Sequence, residues 1–233
     1  MPRVAVRSLT LREYARPIGS PAGSVTIAHV SASLPSAFEF LDVPVEVAAR
    51  RLIGCELVTT SGPRVRVRIV ETEAYDQEDP ASHTFRGPTP RNAAMFLSAG
   101  HLYVYQSHGI HFCCNVVTGR ADHGSGVLIR GAEPLDGADV MQARRGRGGV
   151  ELTNGPGKLG QALGVDLTFT GSALDGSAER SLLLVPREET PEHLIEVGRR
   201  VGISKAADLP RRFYLRGNPY VSRHHGAPGP SRS

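Results

Sequence analysis

Residues 64–75 read RVRVRIVETEAY. Val65, Val67 and Ile69 alternate with Arg66 and Arg68, the period of two that marks a strand with one face in a core and one in water. Carried forward at the same parity, Glu71, Glu73 and Tyr75 fall on the apolar face, near the strand end. A carboxylate there is expensive unless it is paired or opens on a cleft. The stretch therefore predicts a strand that runs from a core into a site.

Working outward, Pro44 to about Leu52 predicts a helix, with Asp42 placed to cap it and Pro44 acceptable in its first turn. HLYVYQSHGIHFCCNVV (101–117) predicts two strands joined by a turn around Ser107, His108 and Gly109. SGVLIRG (125–131) predicts a short strand ending in Arg130, LDGADVMQARR (135–145) a helix, and NGPGKLGQALGV (154–165) a short helix starting near Asn154. RRFYLRGNPYVS (211–222) predicts a last strand with enough aromatic and apolar residues to join the core. Together these give one mixed α/β (α+β) domain over about 36–224, with short strands and long connections. Residues 1–35, with four arginines in the first nineteen and the turn-forming IGSPAGSVT, are expected to be a flexible extension, and 225–233 a disordered tail.

Composition narrows the classes. The 233 residues are 40% hydrophobic and contain no apolar run long enough for a membrane span, nor a secretory leader pattern, so no membrane association and a cytoplasmic location are expected. Three cysteines, two of them adjacent, make a poor disulfide framework. A net charge of +4 permits a polyanionic partner without requiring one. Neither a GxGxxG nor a Walker sequence is present, which removes support for those nucleotide folds.

Two carboxylates two residues apart, Glu71 and Glu73, can be partners for arginines or an acid–base pair; the spacing alone favours the arginines. Around them lie Tyr75, His83, Pro90-Arg91-Asn92 and a strand with Tyr103 and Tyr105. An aromatic-lined pocket with an acid, a histidine and an arginine suits a planar base, stacked on its faces and tested at its edge. His108, His111, Cys113 and Cys114 cluster in sequence, but their spacing is no standard zinc signature and the adjacent cysteines should face opposite ways on a strand; no metal is expected.

RIVETEAY, TPRNAAMF, LYVYQSHGIHFCCNV, VLIRGAEPL, NGPGKLGQALGV and RRFYLRGNPYVS, in that order, resemble the alkyladenine (3-methyladenine) DNA glycosylase family across nearly the whole inferred domain. The resemblance implies a compact domain with a curved antiparallel sheet, short helices and a protruding DNA-reading hairpin. It implies a metal-free, cofactor-free and monomeric enzyme acting on damaged double-stranded DNA, which flips out an alkylated purine and hydrolyses its N-glycosidic bond. Typical bases are 3-methyladenine and 7-methylguanine; some members also release hypoxanthine or ethenoadenine. By the same resemblance Glu73 is the carboxylate that activates water, with Glu71 in support, and Arg130 holds the water and the nucleotide backbone. Tyr75, His83 and Tyr105 line the base pocket, and Asn115 bars the amino group of normal guanine. His108 stands where well-studied relatives carry an intercalating tyrosine, and Tyr103, Arg91 and Lys158 are further expected contacts to DNA. Lys158, at a helix start, better suits an anion contact than a Schiff base. A damage-binding protein without catalysis and an RNA- or nucleotide-processing enzyme are the alternatives.

Overall fold

The computed structural model describes residues 36–222, so the expectations for 1–35 and for the tail lie outside the described residues. Three α-helices and a curled antiparallel sheet form one mixed α/β unit. Strands β1 (Glu56–Thr59), β2 (Arg66–Tyr75), β3 (Leu102–Ser107), β4 (His111–Val117), β5 (Gly126–Asp136) and β6 (Leu182–Val185) lie in the order β3-β4-β5-β2-β1-β6. Strands β7 (Ile195–Gly198) and β8 (Arg212–Leu215) pair with each other, and β8 also pairs with β2. The main core lies between one face of this sheet and helices α1 (Val45–Leu52), α2 (Ala138–Arg145) and α3 (Pro156–Leu163).

β2 carries the fold's decisive irregularity. Its first part pairs with β1 through Arg66–Arg68, and its last part pairs with β8 through Glu71–Glu73. Against β5 the register slips at Val70: Ile69 faces Ala132 but Glu71 faces Gly131, and a second slip follows between Glu71 and Thr72. An extra residue in one strand of a pair reverses which residues face inward. Val65, Val67 and Ile69 lie in the main core, but beyond the slip it is Ala74 that joins the core and Thr72 that donates its hydroxyl to the Ala49 carbonyl of α1. The expectation that Glu71 and Glu73 continue the apolar parity is thus corrected. They point to the other face, where Tyr75 follows them.

The same two-sidedness runs along the neighbouring strands. Leu102, Val104, Cys114, Val116, Val127 and Ile129 belong to the main core. Tyr103, with Tyr105 packed beside it, belongs to a smaller cluster with Ala94, Met95 and Val117. Cys113 and Cys114 are divided as adjacent strand residues should be.

Other boundaries also differ from the sequence reading. β5 continues through Arg130 to Asp136, because Glu133 to Asp136 still pair with the arginine-rich start of β2. Asp42 makes no cap to α1, whose N-cap is Pro44, and α3 begins after Gly155, with the Asn154 side chain accepting from Lys158 instead. α3 lies directly on β4. A Cβ on Gly160 would come within 2.0 Å of the Phe112 carbonyl oxygen and one on Gly157 within 2.6 Å of His111 Cβ, so small residues set this approach.

Candidate active site

The cross-strand register aligns the site. Tyr103 pairs with Asn115, Asn115 with Leu128, Leu128 with Glu73, and Glu73 with Arg212. Directly paired residues share a face, and strands lie about 4.8 Å apart, so Asn115 and Glu73 stand roughly 10 Å apart on either side of Leu128. Leu128, between them in the row, is only 4% exposed.

Both carboxylates are fully buried, yet their bonding differs. Glu71 Oε1 accepts from Arg212 Nε (2.6 Å), Ser222 Oγ (2.8 Å) and Arg130 Nε (3.3 Å), and Oε2 accepts from the Ser222 backbone N–H (2.6 Å). Glu73 Oε1 accepts from the Val201 N–H (2.7 Å); its Oε2 accepts from the Tyr75 hydroxyl (2.9 Å) and Arg130 Nη1 (3.4 Å). A carboxylate offers about four lone-pair sites. Glu71 has four donors, three of them on Oε1, and Glu73 has three, two of them on Oε2; Glu71 Oε2 and Glu73 Oε1 each take a single donor. Burial pushes the Glu73 pKa above the usual carboxylate range, although Arg130, the Val201 N–H and Tyr75 oppose the shift. For Arg130 burial acts against the charge, but Glu73 and Glu71 prevail and raise its pKa. Tyr75 is raised by burial and by Glu73, and stays a neutral donor.

A second group faces this one. His83 Nδ1 lies 3.0 Å from the Tyr103 hydroxyl, and its ring meets Tyr105 edge-on at 4.7 Å between centroids. Tyr103 and Tyr105 stack at 5.9 Å. Partial burial, with help from the Arg91 charge, lowers the His83 pKa and favours a neutral imidazole. Asn92 holds the loop in place by donating Nδ2 to the His83 and Gly87 carbonyls. Asn115 donates Nδ2 to the Tyr103 carbonyl at 3.1 Å, which fixes its amide plane. Arg91 is exposed and shares an open groove with Tyr105, Gln106 and Leu167.

Of the residues singled out by sequence, Glu73, Arg130 and Tyr75 form one bonded group, and His83, Tyr103 and Tyr105 another. Asn115 is anchored beside the second group. His108 lies apart at the exposed hairpin tip, with a backbone φ of 51°. Lys158 is held by Glu151 Oε2 at 2.7 Å and by Asn154 Oδ1, and so is already paired with a carboxylate. Among the described residues no three His, Cys, Asp or Glu side chains are grouped to hold a metal ion. The sequence reading missed Val201, Arg212 and Ser222, which complete the carboxylate bonding. It also missed Arg200, whose guanidinium lies 4.6 Å over the Tyr75 ring and is bonded to buried Asp79. No local spacing marks these residues, since they lie more than 120 positions from the carboxylates they bond.

Comparison with known proteins gives a consistent result. The family profile described as methylpurine-DNA glycosylase (MPG) matches residues 39–219. A protein of Methanoculleus marisnigri is 49% identical over 193 residues, 82% of this chain and 99% of its own length. One from Nitrosospira multiformis is 47% identical, covering 83% of this chain and 96% of its own. One from Carboxydothermus hydrogenoformans is 44% identical, covering 82% and 98%. All three bear the name "Putative 3-methyladenine DNA glycosylase".

The Asp79 anchor makes a stability prediction. Burial alone would raise its pKa, but Arg200 and the Ala81 N–H, aided by Arg211, lower it. A depressed carboxylate pKa stabilises the fold above the ordinary value of about 3.9, and that contribution is lost as pH falls through the lower folded value. Asp79→Asn leaves buried Arg200 without its counter-charge and Arg211 with Glu46 alone, at a cost of about 3–5 kcal/mol at neutral pH. Thermal melts should therefore show a large deficit at pH 7 that shrinks below about pH 4. An equal deficit at both pH values would refute the ion-pair account.

Proposed function

The chain belongs to the methylpurine-DNA glycosylase family, and from that premise we propose that it flips alkylated purines out of duplex DNA and hydrolyses their N-glycosidic bond with water activated by Glu73. The observation that carries this reading is the unequal bonding of two adjacent buried carboxylates. Glu71 takes four protein donors, among them the Nε groups of two arginines, whereas Glu73 takes three and lies in the cross-strand row that runs through Leu128 to Asn115 and Tyr103.

As the bond to the base loosens, positive character grows on the sugar and water approaches C1′. Glu73 takes a proton from that water and its charge stabilises the cationic sugar. Its raised pKa brings its basicity nearer to working pH than that of an ordinary glutamate. Arg130 uses three of its five N–H groups inside the protein, leaving two for the water or the inward-turned phosphate. Tyr75, His83 and Tyr105 supply faces and edges for the flipped base. 3-Methyladenine and 7-methylguanine are the favoured substrates, because alkylation already makes the purine a better leaving group; hypoxanthine and ethenoadenine demand more help at the leaving base. The enzyme works as a monomer, without metal or cofactor.

The hairpin between β3 and β4 serves the flipping step. Its tip holds His108 and Gly109 at positive φ, the backbone needed by tight hairpin turns, and presents exposed His108 beside Ile110, which is 70% exposed. The two side chains together form the wedge that fills the space left by the flipped nucleotide.

Four variants test this reading. Glu73→Gln should reduce single-turnover base release by at least about 10²–10⁴-fold while binding to an abasic-site duplex persists; native excision by a folded Glu73→Gln protein would sink it. In native enzyme the acid limb of the rate should lie above the ordinary glutamate value of about 4.3, because activity requires the ionised form of a group whose pKa is raised. Asn115→Ala should raise release of normal guanine relative to 7-methylguanine, and an unchanged ratio rejects the gate. His108→Ala should weaken flipping, read by a fluorescent base opposite the lesion, with little change in melting temperature; His108→Tyr should retain or improve it. Identical flipping by all three side chains removes His108 from the wedge.

A further inference from the structure

We infer that Ser222 is a positioning residue for catalysis: its hydroxyl, wedged between Glu71 and Arg130, fixes the plane of the Arg130 guanidinium so that Nη1 reaches Glu73. The inference rests on the assignment of Glu73 and Arg130 made above.

Arg130 is bonded through each of its three nitrogens, to Glu71 from Nε, Glu73 from Nη1 and Ser222 Oγ from Nη2, at 3.3–3.4 Å. Three long bonds to three different groups make a guanidinium that is directed only while all three persist. Two of the contacts lie away from the slot and act as the hinge and the stop; the third meets the reactive carboxylate. Ser222 is itself held on both sides. Its N–H donates to Glu71 Oε2 at 2.6 Å, and its carbonyl accepts from Arg212 Nη2 at 3.0 Å. The hydroxyl is therefore fixed in place, donating to Glu71 at 2.8 Å and accepting from Arg130.

The chain makes room for this arrangement beside Arg130. A Cβ on Gly131 would lie 2.6 Å from the Tyr220 carbonyl oxygen and 3.1 Å from Glu71 Oε2. The missing side chain lets the 220–222 segment close over β5. Gly131 thus offers a way to disturb Ser222 without altering its chemistry.

The consequence is read in pH dependence. The Arg130 charge favours ionised Glu73, so loosening Arg130 lets the Glu73 pKa rise further and moves the acid limb of the rate to higher pH. A residue that only supports the fold would lower the melting temperature without moving that limb.

The experiment uses the full chain and a duplex with a single 7-methylguanine, following single-turnover base release across pH, with affinity for an abasic-site duplex measured in parallel. Ser222→Ala, which retains both backbone bonds, should shift the acid limb upward by up to about one unit, which is up to about tenfold in rate below it, with affinity preserved. Ser222→Thr keeps the hydroxyl and should return the limb toward the native position. Gly131→Ala should shift it in the same direction as Ser222→Ala. If Ser222→Ala does not fold, Ser222→Cys, similar in size and only a weak hydrogen-bonding group, takes its place with the same expectation. A native limb in both the Ser222 and Gly131 variants overturns the inference, as does a Ser222→Thr protein shifted as far as the alanine variant. Glu73→Gln is run beside them. If that protein excises normally, the assignment of Glu73 fails; if it is inactive while the Ser222 and Gly131 variants keep the native limb, only the role of Ser222 fails.

Discussion

The site depends on the burial of Glu71. A carboxylate with no exposed surface is tolerated only when its charge and lone pairs are met, and Glu71 is met by two arginines, a hydroxyl and a backbone N–H. These donors come from β5, β8 and the segment after β8, so one side chain on β2 ties together three parts of the chain distant in sequence. With Glu73 included, two acids face two buried arginines and the local formal charge is zero. Removing either arginine would leave a buried anion uncompensated, which is how such a network resists piecemeal change.

Neutrality also allows the second acid to be reactive. Glu73 gains less from its surroundings than Glu71, since it takes three donors against four and burial raises its pKa. The acid with four donors ties distant segments together, and the one with three is the carboxylate to which the proposed function assigns the chemistry. Tyr75 and the Val201 N–H hold Glu73 in place without satisfying it completely. Arg200, stacked on Tyr75 and anchored to Asp79, extends this support below the slot.

Much of this was legible in the sequence, for local reasons. Periodicity marked the first half of β2, and the turn at Ser107-His108-Gly109 marked the hairpin. The ordered motifs gathered Glu73, Arg130, Tyr75, His83, Tyr105 and Asn115 before their positions were known. What escaped depended on register or on distant contacts. Val70 has an ordinary strand side chain, and nothing local says that it adds a residue against β5 and turns Glu71 and Glu73 to the opposite face. The four-residue strands β1, β6 and β7 are too short for alternation to identify them. Asp42 and Asn154 looked like caps because their residue types favour that role, but Pro44 and Gly155 occupy the cap positions. Ser222 was visible only as the end of a core strand; its value lies in an Arg130 contact 92 residues away.

The hairpin leads from this buried interior to an exposed tip. At its root, Tyr103 and Asn115 belong to the row that contains Glu73, and Gly160 brings α3 directly against β4. A displacement of the root would therefore disturb the pocket as well. At its tip, His108 adopts a left-handed backbone that glycine or asparagine takes at lower cost, and its side chain remains in solvent. The conformational cost has no compensating burial within the protein. Closure of the hairpin compensates that cost, through the Ile110 N–H bond to the Ser107 carbonyl (3.0 Å) and the Gln106 amide bond to the Gly109 carbonyl (2.7 Å), while Ile110 keeps its apolar surface exposed. On the proposed function, stacked base pairs would offer a flat apolar face for Ile110 and an aromatic surface for the imidazole. Because the tip is carried on strands that also position Asn115, the proposed function would couple insertion into the duplex geometrically to presentation of the flipped base to Glu73.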